Sequence, residues 1–184
     1  YIGNFIDQRN LVPPMGKEII SKLSSKYNFI SVSTKSNKIL RLFDIIYNII
    51  KFKNQIEIVF IDTFSTRAFW FCYLSSLLCN ILNINYIPII RGGDMLMRIR
   101  KSTQYTNYIF NHSYINILPS IYLYNIFREY GYLVKYIPNF IQIENYQFKK
   151  RNGSDHNILW VRSLHEIYNP MMAIRVLGKL IDKY

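Results

Sequence analysis

The residues of this 184-residue chain that are best suited to binding a ligand are Arg91, Gly92, Gly93 and Asp94, which directly follow the apolar run at residues 86–90. Two glycines let the backbone approach a ligand closely, an arginine can pair with an anion, and a carboxylate can accept hydrogen bonds from hydroxyl groups. The same residue types also form ordinary turns and helix caps, so this second interpretation stays open beside the first.

Other polar residues also follow apolar runs. Gly16 follows the first run, after Gln8 and Arg9, and Asn139 comes directly after the run at residues 134–138. Ligands of open parallel sheets bind beyond the carboxyl ends of the strands, so these residues are candidates for one shared site. Three further residues at such positions are interpreted as turn or cap residues: Asp62, Ser65 and Ser120.

No single motif specifies a reaction. The dinucleotide motif GxGxxG, the NTPase loop GxxxxGK[ST] and the nucleophile elbow GxSxG are all absent from the sequence. Cys72 and Cys79 lie in an apolar stretch without CxxC spacing, and the three histidines have no ligand spacing. We therefore expect neither a disulfide nor a metal site, and the pattern assigns no catalytic residue.

The elements that would position these residues follow from hydrophobic periodicity. Strands are predicted at residues 1–5, 29–33, 56–61, 86–90, 114–118 and 134–138. Helices are predicted between them at residues 16–27, 37–51, 65–82, 95–111 (one helix or two) and 120–131. Strands that alternate with helices of this length pair in parallel, so we predict an α/β fold with a Rossmann-like doubly wound sheet.

Local signals set the predicted helix boundaries. Ser36, Ser65 and Ser120 are predicted N-caps, and Gly131 is the glycine that ends the last helix of the sheet domain. In the helix at residues 37–51, four apolar residues recur at helical spacing and predict its apolar face: Ile39, Phe43, Ile46 and Ile50.

A second domain is predicted to begin after the sheet domain at residues 1–147. The polar residues 148–157 are predicted to be a linker, and a strand at residues 158–161 with a helix at residues 170–182 would start a new βα unit. One such unit cannot bury its own apolar face, so residues 158–184 are expected to be an incomplete second Rossmann-like domain.

Composition limits the classes of protein and partner. Half of the residues are hydrophobic and no tandem repeat is present, which excludes disordered, collagen-like and solenoid chains. The 23 Lys+Arg and 11 Asp+Glu residues give a formal net charge of +12 and suggest an anionic partner. The basic residues are scattered, so we expect no nucleic acid as a partner, whereas an anionic membrane surface stays among the candidates.

Four segments, in chain order, resemble glycosyltransferase family 4. Residues 14–16 match the glycine loop after its first strand, and residues 91–94 match its short "GxD" turn. Residues 134–146 resemble the "IPNGID…F" segment that closes its N-terminal domain, and residues 158–170 resemble the start of its C-terminal domain. The resemblance covers nearly the whole chain.

The resemblance implies a GT-B enzyme with two Rossmann-like domains that face each other across a cleft. Such an enzyme transfers a hexose from a nucleotide-sugar to a glycan or lipid-linked acceptor, with retention and without a metal or other cofactor. Gly16 would approach the donor phosphates, residues 91–94 would line the acceptor side, and Asn139 would lie at the cleft wall. Arg162 and Ser163 stand at the position of the family's donor-diphosphate pair.

The sequence also departs from the family. Arg91 replaces its usual histidine, Phe140-Ile141-Gln142 replaces "GID", and the acidic E-x7-E motif does not occur in these 184 residues. We therefore expect an N-terminal fragment that is inactive alone, from a cytoplasmic enzyme that is peripheral on the inner face of the cell membrane. The alternative is a non-catalytic carbohydrate or membrane-surface binding module of the same fold.

Overall fold

A parallel β-sheet forms the centre of the protein. The computed structural model describes residues 1–5, 14–141, 143–150, 153 and 158–181. The sheet has four strands in the order β1-β2-β3-β4, and every neighbouring pair is parallel. The bounds of the strands are β1 Ile58–Thr63, β2 Asn85–Ile90, β3 Asn116–Leu118 and β4 Val134–Tyr136.

Two of the six predicted strands, those at residues 1–5 and 29–33, contribute only isolated bridges and no continuous ladder. Ile2 forms parallel bridges with both Val32 and Ile61, so residues 1–5 run beside β1 without forming a full strand of their own. The backbone N–H of Ile2 donates to the Phe60 carbonyl at 2.8 Å, and that of Asp62 donates to the Ile2 carbonyl at 2.9 Å. Residues 1–5 are thereby attached along the outer edge of β1.

Helices connect the strands, as the alternating pattern predicts. Those of the sheet unit are α1 Met15–Leu23, α2 Lys38–Lys51, α3 Phe69–Ile81, α4 Met95–Lys101, α5 Thr103–Asn111 and α6 Ile121–Glu129. An all-parallel open sheet flanked by helices confirms the α/β class and is consistent with a Rossmann-like fold. In the described part of the chain, no helix is long and apolar enough to cross a membrane.

Apolar side chains fill both faces of the sheet. On one face, Ile61 and Tyr86 pack with residues of α2 to α6, and on the other, Ile87 and Ile89 pack with Tyr1 and Phe5. Strand β2 is buried on both faces from Tyr86 to Ile90, as expected of a parallel strand with neighbours on both sides. The loops at the edges of the sheet therefore start from strands that are packed on both faces.

Two of the predicted helix boundaries change, and a third, at Ser120, is confirmed in position only. The N-cap of α2 is Asn37 rather than Ser36, because the Asn37 Oδ1 accepts hydrogen bonds from the backbone N–H groups of Ile39 and Leu40 at 2.9 and 3.2 Å. Helix α3 begins at Phe69 instead of at the predicted cap Ser65. Ser120 is the N-cap residue of α6, but its side chain accepts no capping hydrogen bond.

Two other boundary predictions are confirmed. Gly131 has φ +80°, the left-handed conformation that favours a glycine after the end of a helix. The predicted helical stretch at residues 95–111 is divided into α4 and α5 around Ser102.

Residues Gln142–Tyr184 form a second compact unit, separate from the sheet unit Tyr1–Ile141. The strand predicted at residues 158–161 is wrong, since these residues are exposed and have no strand structure. A single strand needs a partner for its backbone hydrogen bonds, and the described part of this unit contains none. Helix α7 Pro170–Ile181 begins where the sequence predicts.

The capping residue of α2 gives a direct test of this boundary. We expect Asn37→Ala to lower the free energy of unfolding by about 1 kcal/mol, because two backbone N–H groups lose their acceptor. The adjacent Ser36→Ala is the matched control and should change stability by less than about 0.5 kcal/mol. Urea denaturation of both variants checks this, and a larger loss for Ser36→Ala would show that the cap is assigned to the wrong residue.

Candidate functional site

The carboxyl ends of the strands meet at one edge of the sheet, as the predicted topology requires. Thr63, the last residue of β1, lies opposite Ile90, the last residue of β2, and the N–H of Arg91 donates to the Thr63 carbonyl at 2.8 Å. The N–H of Ile137, after β4, donates to the carbonyl of Leu118 at the end of β3 at 3.0 Å. The loops after all four strands therefore begin side by side.

Four side chains at this edge form one hydrogen-bonded group, which we call the carboxyl-edge network: Tyr1, Asp62, Arg91 and Asn139. The Arg91 Nε donates to Asp62 Oδ1 at 2.8 Å, its Nη2 donates to the Tyr1 hydroxyl at 3.1 Å, and its Nη1 donates to Asn139 Oδ1 at 3.1 Å. The Tyr1 hydroxyl donates to Asp62 Oδ1 at 2.8 Å. Arg91 thus connects the residues that follow β2 to three other segments.

The centre of the network is a buried ion pair. The Arg91 and Asp62 side chains are 12% and 6% exposed. Burial alone would lower the pKa of Arg91, but the Asp62 carboxylate and the Tyr1 hydroxyl outweigh it and raise this pKa. Burial and Asp62 also raise the pKa of the Tyr1 hydroxyl, which stays protonated and donates to the carboxylate.

This pairing changes the role that the sequence indicates for Arg91. We expected its guanidinium to pair with an anionic ligand, whereas in the structure its anion is the protein's own Asp62. Asp62, interpreted from the sequence as a turn residue, is the partner that sequence reasoning missed. The two residues are separated by 29 positions, and no spacing rule connects residues so far apart.

The turn after Arg91 faces solvent. Gly92, Gly93 and Asp94 are exposed, and a Cβ atom placed on Gly93 would meet no other atom within 4 Å. Asp94 precedes α4, but its carboxylate caps no backbone N–H of that helix. The carboxylate and the two glycine backbones are therefore accessible to a ligand.

Arg98 of α4 attaches this turn to the loop after β1. Its Nε donates to the Ser65 carbonyl at 2.7 Å, and its Nη2 donates to the Thr66 carbonyl at 3.3 Å. Its guanidinium also lies over the Phe69 ring, 5.1 Å from the centroid. Ser65, predicted to be a helix cap, is instead a backbone acceptor for this arginine.

Gly16 lies near the network, for a reason of packing. It is buried in α1, and a Cβ atom at this position would lie 2.9 Å from Tyr1 Cε1 and 3.3 Å from Phe5 Cε1. The absence of a side chain lets α1 approach the ring whose hydroxyl binds Asp62 and Arg91. Gln8 and Arg9, predicted in the loop before α1, lie outside the described residues.

The predicted donor-phosphate residues belong to the second unit. Arg162 and Ser163 are exposed, and the Arg162 guanidinium lies 4.8 Å from the centroid of the Tyr168 ring. The Ser163 carbonyl accepts a hydrogen bond from the His165 N–H at 2.9 Å. The structure therefore places these two residues outside the sheet unit that contains the other candidates.

The exposed polar groups at the edge can bind a ligand by hydrogen bonds. Among the described residues, no group of His, Cys, Asp and Glu side chains could hold a metal ion. Burial raises the pKa of Cys72 to about 11 and that of Cys79 to about 12, so these buried thiols are not nucleophiles at neutral pH. Asp94, the backbone of the two glycines and the amide of Asn139 provide acceptors and donors for a polar, uncharged ligand.

A cavity of about 620 Å³ lies beside the beginning of β1, and Tyr1 of the carboxyl-edge network is among the residues that line it. Its lining is mostly apolar, from Ile30, Ile49, Phe52 and other residues, with Lys26 and Glu57 as its charged side chains. None of the predicted site residues lines it. Its walls come from four separate segments, so no local pattern in the sequence could have indicated it.

Gly16 is predicted from the sequence to approach a ligand, whereas the structure gives it a role in packing, and the two roles predict different effects of a substitution on stability. Because a methyl group would collide with the Tyr1 ring, we expect Gly16→Ala to lower the free energy of unfolding by about 1–3 kcal/mol. The control Gly93→Ala, where the space is open, should change it by less than about 0.5 kcal/mol. Thermal and urea unfolding measure both values. Equal stability of the two variants would show that Gly16 does not serve packing.

The buried ion pair predicts a non-additive pair of substitutions. Asp62→Asn leaves Arg91 charged and without a carboxylate, so the protein should lose about 3 kcal/mol of stability. The double variant Asp62→Asn/Arg91→Gln should lose clearly less than the sum of the two single losses, because no lone charge stays buried. Urea denaturation of the three variants tests this, and additive losses would contradict the pairing.

Comparisons with known proteins yield no similar protein. No protein-family model, no curated protein and no solved structure matches the chain. The function must therefore be inferred from the residues of the carboxyl edge and from the motifs of the sequence.

Proposed function

We propose that the chain provides the acceptor-binding domain of a glycosyltransferase of GT-B architecture. A hydroxyl-rich acceptor, a glycan or the glycan part of a lipid-linked acceptor, would bind at the turn of Gly92, Gly93 and Asp94, beside Asn139. The observation that carries this proposal is the carboxyl-edge network, which holds the turn and Asn139 together at the edge where open parallel sheets bind ligands.

The charges at the turn itself favour a sugar over a phosphate. Arg91 and Asp62 neutralise each other, and the guanidinium of Arg98 is engaged by backbone carbonyls. The exposed charge that is left at the turn is the Asp94 carboxylate. A carboxylate repels a phosphate but accepts two hydrogen bonds from neighbouring hydroxyl groups, the pattern that a sugar ring presents.

The ordered motifs support the more specific part of the proposal. The turn that resembles the family's "GxD" follows β2, and Asn139, from the segment that resembles "IPNGID", follows β4 at the same edge. In the proposed enzyme the nucleotide-sugar would be the donor, with Arg162 and Ser163 near its diphosphate. Hexosyl transfer with retention and without a metal is part of the proposal, and we assign no catalytic residue.

A non-catalytic carbohydrate-binding module is the second candidate. It is favoured by the carboxyl-edge network itself: the Tyr1 hydroxyl donates to the Asp62 carboxylate, but burial and Asp62 raise its pKa, so it is not an activated nucleophile. Both candidates require a glycan at the same turn. They differ in whether the full-length protein turns over a nucleotide-sugar when the acceptor is present.

Glycan binding at the turn is tested with a panel of neutral oligosaccharides and saturation-transfer NMR. We expect at least one member of the panel to bind, and Asp94→Asn to weaken that binding by about tenfold, because a charge-assisted hydrogen bond is lost. Glu129→Gln is the matched control, since it removes an exposed carboxylate at the end of α6 and should leave binding unchanged.

Two results would contradict the proposal. One is the absence of binding by any neutral glycan to a folded wild-type protein. The other is unchanged binding by Asp94→Asn, which would place the sugar elsewhere on the protein.

A further inference from the structure

Helix α2 exposes a row of large apolar side chains, which we call the α2 stripe. The exposed fractions of its residues range from 48% to 67%. The members recur at helical spacing along one side of the helix: Ile39, Leu40, Phe43, Tyr47 and Ile50. Three of them belong to the apolar face predicted from the sequence, so the periodicity identified a face of the helix but not the direction in which it points.

Polar contacts on the inner side hold α2 in this orientation. The Arg41 Nη2 donates to the Gly3 carbonyl at 3.0 Å, and the Asp44 carboxylate accepts the backbone N–H of Ser33 at 3.0 Å. Two inner residues of the helix are fully buried in the core: Ile45 and Ile49. Arg41 and Asp44 thus make their contacts inside the fold, while the largest apolar residues of α2 face outward.

The solvent face of an ordinary surface helix is polar, whereas α2 is apolar on its solvent face as well as on its buried face. Contiguous exposed apolar residues of this size mark a surface that a partner covers. The charges around the α2 stripe indicate what kind of partner it is.

Four exposed lysines flank the α2 stripe, two near each end of the helix: Lys35, Lys38, Lys51 and Lys53. The Lys51 Nζ lies 5.6 Å from the centroid of the Tyr47 ring and 5.1 Å from that of Phe52. Between residues 34 and 56 the single acidic residue is Asp44, whose carboxylate is turned inward toward Ser33. The outer surface of α2 is therefore apolar along its middle and positively charged at both ends.

We propose that the α2 stripe docks on an anionic lipid bilayer, with α2 lying in the plane of the interface. Its apolar side chains would enter the boundary between headgroups and acyl chains, and the lysines would reach the anionic headgroups. The 14-residue helix is about 21 Å long, so a partner that contacts the lysines at both of its ends must carry negative charge at two distant points. An extended anionic surface supplies this.

The experiment is flotation of the full chain with vesicles of phosphatidylcholine alone or with about 30% phosphatidylglycerol. The wild-type protein should float with the anionic vesicles, and added salt should weaken the binding. Phe43→Gln should reduce the partition coefficient by about tenfold. Lys38→Gln and Lys51→Gln should each reduce it by about fivefold.

Two control variants separate the α2 stripe from a general effect of net charge. Tyr122→Gln removes an aromatic residue of α6 that is 60% exposed, the same fraction as Tyr47, and Lys135→Gln removes an exposed lysine of β4. Both should bind vesicles like the wild type. Circular dichroism verifies that every variant is folded.

Three outcomes would overturn the proposal. The first is no binding to anionic vesicles, with a monomeric protein in sedimentation equilibrium. The second is a dimer that Phe43→Gln dissociates, without vesicle binding, which would assign the α2 stripe to a second copy of the chain. The third is binding that the control substitutions weaken as much as those in α2. None of these measurements depends on glycan binding, so this proposal and the proposed function can fail separately.

Discussion

The buried ion pair between Asp62 and Arg91 is the interaction on which the arrangement of the carboxyl edge depends. It joins Asp62, near the end of β1, to Arg91, the residue after β2. Arg91 also donates hydrogen bonds to Tyr1 and Asn139. A buried pair contributes little net stability, because removing two charges from water costs about as much as their attraction returns. Its consequence is geometric: four segments that are distant in sequence are fixed at one point.

The same pair decides what the edge can bind. With its charge neutralised by Asp62, Arg91 is a positioning residue and not an anion receptor. The exposed turn that follows it and Asn139 provide polar groups for a ligand at this edge. Exposed basic residues lie in other parts of the chain, for example the lysines around the α2 stripe. The two proposals therefore assign a neutral ligand to the carboxyl edge and an anionic surface to α2.

The fold is predictable from the sequence because it follows from local patterns, namely β-branched runs, helical spacing and Gly131 at a helix end. Details that depend on distant residues are not. Ser36 and Asn37 are both good caps, and only the path of the chain selects one. The strand predicted at residues 158–161 required a partner strand that the described part of its unit does not provide.

For the candidate site, the sequence indicated the turn at residues 91–94 and Asn139 but not the group that unites them. Charge types are visible in a sequence, whereas the pairing of charges 29 residues apart is determined by strand order and register. Periodicity likewise identified the apolar residues of α2 but not whether they face the core or the solvent. The helical repeat is the same for a face that packs against the core and for a face that binds a partner.

The most direct test of this account is the NMR signal of the Arg91 Nε–H group. A buried N–H that is bonded to Asp62 Oδ1 at 2.8 Å should exchange slowly with water at neutral pH, and it should become fast in Asp62→Asn. The Nε–H groups of the exposed Arg67 and Arg100 provide internal references for fast exchange. An Arg91 signal that exchanges as fast as these references would contradict the ion pair and the arrangement of the carboxyl edge built on it.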